Sequence, residues 1–158
     1  MASPPVCSVG SSAVLKATLR AIRKRRGLRA ADVAERMAMP LRSYEHFEAG
    51  VGLLNLDRLF QFAQATDSDG WAILVAVRSG SPELALHCAD NKLVTILMLA
   101  LQDFDGDLGD GVADIEAAAL ISRFSDGFRE LARYARERRD AASAWLQRPA
   151  DEDDGEAP

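Results

Sequence analysis

Apolar positions recur along this chain at helical spacing almost from the start. Val14, Leu15, Leu19 and Ile22 form one stripe and predict a helix over 13–26. Gly27 stops it, and four basic residues just before suit a helix C-terminus. A short helix follows over 30–37, with Val33, Ala34 and Met37 inward. Another spans 41–49, opened by Pro40 and closed by Gly50, with Tyr44 and Phe47 inward. Asn55 is placed to cap a fourth helix over 56–65, whose apolar residues are Leu59, Phe60, Phe62 and Ala63. A fifth, over 70–77, carries Trp71, Ile73, Leu74, Val75 and Val77. Only 71–77 also reads as a strand, and it is too isolated to build a sheet. The pattern is all-α.

The Arg-Ser-Gly-Ser-Pro stretch at 78–82 is the strongest candidate boundary. Ser81, Pro82 and Glu83 read as N-cap, N1 and N2 of a helix running to about residue 102. Its 93–101 stretch is apolar almost all round, which requires cover on several sides, within a domain or between subunits. Residues 103–111 read as an Asp/Gly loop. Residues 112–147 read as helix with a soft point at 125–127 and an imperfect seam of Val112, Ile115, Ala119, Phe124, Phe128, Leu131, Ala135, Ala142 and Trp145. The expected organisation is a loose end at 1–11, a helical domain at 12–79, a helical C-terminal region at 80–148, and a disordered acidic tail at 149–158.

Composition removes several function classes. Two cysteines in 158 residues build neither a disulfide framework nor a Cys-rich zinc site, and two histidines do not make a metal centre. The longest largely apolar run, 93–101 with Thr95 inside it, is nine residues and too short to span a bilayer. Residues 1–15 lack a basic segment followed by an apolar one, so a cytoplasmic protein is expected, with no membrane partner. Sixteen arginines against three lysines suit a GC-rich bacterial genome. The net charge of −5 hides a split: 13–50 is +5, 81–110 is −5 and 150–158 is −5. A basic front suggests that this part faces a polyanion, although a run such as 23–26 also reads as a solvated face.

The run 28–50, LRAADVAERMAMPLRSYEHFEAG, resembles the helix-turn-helix of the XRE family, the Cro and phage-repressor-like regulators. Leu28, Val33, Ala34, Met37, Met39, Tyr44, Phe47, Glu48 and Gly50 stand at the family's pattern positions. Ala34 sits where two short helices cross and a larger side chain would push them apart. The resemblance covers about 13–77. It implies a five-helix lambda-repressor-like domain that binds double-stranded DNA to regulate transcription. The family's ion pair between the first and third helices falls on Arg23 and Glu48. Base-facing positions fall on Leu41, Arg42, Ser43, Glu45 and His46. Phosphate contacts are expected from Lys16, Arg20, Arg29 and Arg36. Three positions depart: Ala38 replaces the turn Gly, Pro40 the capping Ser or Thr, and Ala30 the opening Gln. Pro40 and Ala30 thus lack two side chains that family members often place on phosphates. Pairing through 81–147 would give the homodimer such domains use to read two half-sites.

Other chemistry finds little support. An EF-hand beginning at Asp103 would need Gly and Glu where Leu108 and Asp114 stand. Ser43, His46 and Glu48 share one short helix and cannot assemble a nucleophile triad. His87 and Cys88 are adjacent on one helix and point apart. No Gly-rich phosphate loop is present, so no enzyme, no cofactor and no metal are expected. The alternative is a protein-interaction module, an antitoxin or co-regulator, whose C-terminal helices hold a protein partner. A small-ligand pocket there is a third option that no residue specifies.

Overall fold

The computed structural model describes residues 9–146. These residues form eight α-helices and one 3₁₀ helix, with no strand among them. They are α1 (Val9–Arg25), α2 (Ala30–Arg36), α3 (Leu41–Glu48), α4 (Leu56–Ala65), α5 (Gly70–Ser79), α6 (Pro82–Cys88), α7 (Leu93–Leu108), the 3₁₀ helix Gly109–Asp114, and α8 (Ala117–Leu146). Residues 9–11 of the expected loose end belong to α1. Residues 1–8 and the acidic tail lie outside the described residues.

The chain divides into two compact units, 1–107 and 108–158. In the first, α1 packs against α3, α5 and α6, α2 against α3 and α4, and α4 against α5. Leu15, Leu19, Ile22, Val33, Ala34, Tyr44, Leu59, Phe62, Ile73 and Ala85 make one core from six helices. Tyr44, Phe47 and Phe62 form an aromatic cluster with ring centroids 6.2–6.5 Å apart. The second unit holds the 3₁₀ helix and α8, whose apolar side chains are largely exposed.

Four readings are corrected. The turn at 78–82 does not separate compact units: α6 buries Ala85 and Cys88 against the core. Ser81 stands at its N-cap, but its hydroxyl makes no cap hydrogen bond. The single helix expected over 82–102 is broken at 89–92, where Lys92 takes φ +53°. The loop expected at 103–111 is helical to Leu108 and then 3₁₀. The soft point at 125–127 is unbroken helix, spanned by Arg129 on Asp126 at 2.7 Å. No single described helix is long and apolar enough to cross a bilayer; α6 and the stretch from Leu93 to Asp114 reach that composition only together, bent by 79°.

Asp69 governs the entry to α7. Its carboxylate is almost fully buried. Oδ1 accepts the Ala72 N–H at 3.0 Å and so caps α5. Oδ2 accepts the N–H groups of Val94 and Thr95, at 2.9 and 3.1 Å, at the start of α7. The Thr95 hydroxyl donates to Oδ1 at 2.8 Å. One side chain thereby satisfies orphan donors of two helices. Asp69 holds the N-cap position of α5, and neither of its two caps was singled out in the sequence.

Candidate nucleic-acid interface

Four residues connect α2 to α3, and their geometry is a Schellman turn. Met39 N–H donates to Ala34 C=O at 3.0 Å, and Ala38 N–H to Glu35 C=O at 2.9 Å. The turn requires a left-handed residue, and Ala38 supplies it at φ +50°. An L-residue with a Cβ costs about 1–2 kcal/mol there, so Ala38 holds the conformation at a cost in stability. Pro40 opens α3 without a side-chain cap. At the other end Gly50 is left-handed at φ +70°, and a Cβ on it would meet the Ser12 carbonyl oxygen at 2.7 Å. The Ser12 hydroxyl donates to Gly50 C=O at 2.7 Å, tying the start of α1 to the end of α3.

The inner face of α3 is locked by a polar group inside an apolar shell. Arg23 Nε donates to Glu48 Oε1 at 2.6 Å and Nη2 to Oε2 at 3.2 Å, a two-point clamp. Tyr44 donates its hydroxyl to Glu48 Oε1 at 2.8 Å. Arg23 Nη1 donates to Leu28 C=O at 3.1 Å, tying in the connection between α1 and α2 as well. The Glu48 side chain is 6% exposed and that of Arg23 16%. Burial pushes the Glu48 carboxyl up, but the hydrogen bonds from Arg23 and Tyr44 outweigh it and hold the pKa below the usual carboxylate range. Burial and the bond to Glu48 push the Tyr44 hydroxyl up.

With Tyr44, Phe47 and Glu48 turned inward, Leu41, Arg42, Glu45 and His46 are exposed on the opposite side, and Ser43 is half-buried. The expected base-facing set is therefore on one accessible helix face, apart from Ser43. The connection to α4 adds two exposed apolar side chains that the sequence reading did not single out: Val51 at 67% and Leu53 at 98%.

The expected phosphate-contact residues are less available than their charge suggests. Arg29 is paired with Asp32 at 2.8 Å, where the Arg29 guanidinium and backbone N–H hold the Asp32 carboxyl down to about 2. Arg36 donates to Ala65 C=O at 3.0 Å, at the C-terminus of α4. Arg20 lies 3.5 Å from Glu48. Arg25 and Arg26 both bind Asp90, and Arg26 also reaches the Thr66 and Asp67 carbonyls, so 23–26 is not simply a solvated face. Lys16 and Arg42 are exposed and make no hydrogen bond or ion pair among the described residues.

No family model, curated protein or solved structure matches this chain.

Proposed function

We propose that the chain is a sequence-specific double-stranded DNA-binding regulator of the XRE type. On this reading α1–α5 form a lambda-repressor-like domain, α3 enters the major groove, and two copies bind two half-sites. The protein acts by binding in the cytoplasm, without catalysis or cofactor. The observation that carries the reading is the division of α3: one face is clamped through Tyr44, Phe47 and Glu48, leaving Leu41, Arg42, Glu45 and His46 exposed on a short rigid rod. Arg42 has the fork that fits guanine O6 and N7, Leu41 suits a thymine methyl, and Glu45 can accept from cytosine N4. Lys16 supplies phosphate charge. Arg20, Arg29 and Arg36 do so only by leaving or sharing their internal partners.

The test is selection of bound duplexes from a random pool, followed by titration of the selected site. Arg42→Ala should weaken the selected site by about 1–3 kcal/mol and relax one base pair. Equal binding of all duplexes, or none tighter than about 10⁻⁴ M at low salt, overturns the reading. A second reading, a module that holds a protein co-regulator or toxin, draws on Val51, Leu53 and the exposed apolar side chains of α7 and α8. Protein capture with no selected duplex would favour it.

A further inference from the structure

Large apolar side chains on α8 stand in the open: Ile121 is 68% exposed, Phe124 55%, Phe128 46%, Leu131 55% and Trp145 70%. They are not scattered. From Ile121 the positions 121, 124, 128, 131, 135, 138, 142 and 145 alternate in steps of three and four, the spacing of a coiled-coil seam. All four acids of α8 and four of its six arginines lie off this seam and the positions that flank it; only Arg138 stands on it, with Arg139 beside it. A 30-residue helix with a continuous seam and no buried side chain among its described residues is built to lie along another helix.

The seam also says which helix. We infer that α8 pairs with α8 of a second copy in antiparallel orientation, about a two-fold axis near residue 133. In that arrangement each first seam position of the heptad meets the other copy's second. Ile121 then meets Trp145, Phe124 meets Ala142, Phe128 meets Arg138, and Leu131 meets Ala135. Phe124 and Leu131 each find an alanine, so large side chains fill the space that small ones leave. Arg138, which in the single chain lies 5.9 Å from the Tyr134 ring centroid, comes over the ring of Phe128 from the other copy. Parallel pairing does the opposite. It stacks Phe124, Phe128 and Trp145 on their own copies, leaves Ala135 and Ala142 facing themselves, and brings two Arg138 guanidiniums together. Of the flanking positions, Ser125, Gly127, Ala132 and Ala141 are small, while Tyr134 near the axis is large and lies at the rim of the seam.

This inference rests on the homodimer in the proposed function and adds its interface and direction. The test uses the full chain with Cys7→Ser in every form. Ala132→Cys, beside the axis, should oxidise to a covalent dimer. Ala142→Cys alone should not, because the two copies of residue 142 lie about 27 Å apart at 1.5 Å per residue. A mixture of Phe124→Cys and Ala142→Cys should cross-link. Leu131→Asp should raise the dimer dissociation constant about 100-fold or more in sedimentation equilibrium. A wild type that stays monomeric at about 100 μM overturns both the homodimer and this interface. A wild-type dimer that survives Leu131→Asp, or that cross-links through Ala142→Cys alone, overturns this interface and leaves the homodimer standing.

Discussion

The segment α1–α6 and the helices α7 and α8 use apolar residues in opposite ways. Every buried side chain among the described residues lies between Leu15 and Ala89. Helix α7 has six large apolar side chains exposed, from Ile96 to Leu108, and none buried. The first segment closes on itself through short helices with strong punctuation. The helices after it carry large exposed apolar side chains and, among the described residues, no buried one. Apolar content alone therefore does not report a folded interior; what matters is whether the helices return to meet one another.

The sharpest way to break that contrast is to delete equal side chains from each region. Leu59→Ala, at a fully buried site, should cost about 3 kcal/mol in urea unfolding followed by Trp71 fluorescence in a Trp145→Phe background. Leu131→Ala should move the same transition by less than about 0.5 kcal/mol. Similar losses at both sites would show that the two regions share a core.

The Arg23–Glu48 clamp sharpens the contrast through pH. Glu48→Gln should cost somewhat less than the ~3–5 kcal/mol of a fully buried broken pair, because Arg23 retains some exposure. The folded carboxyl titrates below its unfolded value, near 4.3. Its stabilisation is thus complete above that value and fades as pH falls through the folded pKa. Denaturation curves of wild type and variant should differ at pH 7 and converge in acid. A gap that grows in acid would contradict the clamp. The ion pairs Arg129–Asp126 and Arg133–Glu137 on α8 are exposed, and removing either should be nearly silent in the same experiment.

One substitution is expected to be a gain. Ala38→Gly should stabilise the first segment by about 1 kcal/mol, measured as a rise in the urea midpoint at unchanged slope, because φ +50° suits glycine. A loss of stability would mean that the Ala38 methyl makes a contact worth more than the backbone strain.

Helices α2 to α5 were legible within a residue or two because Gly27, Pro40, Gly50 and Asn55 mark their ends locally. The break between α6 and α7 was not, since no glycine or proline marks it. It is set by Asn91 accepting the Leu93 N–H and by Asp69, which is 25 residues distant from Val94. The Asp/Gly stretch after residue 102 read as loop because single glycines disfavour helix by about 1 kcal/mol. The helix outlasts Gly106 with Phe104 and Leu108 one turn apart on either side of it. At the candidate interface, inward and outward positions of α3 could be read from spacing. The engagement of Arg29 and Arg36 could not, because Ala65 C=O and the rotamer that reaches Asp32 are products of the folded chain.

The double cap at Asp69 bears on where this protein can be cut. A fragment ending at residue 80 removes every donor to Asp69 Oδ2 and strips α6 from the α1–α5 surface, leaving that oxygen without its protein partners. The transplantable piece is the one that carries α6 and α7, ending near Asp107. A shorter graft would expose the anchor meant to hold its own extension.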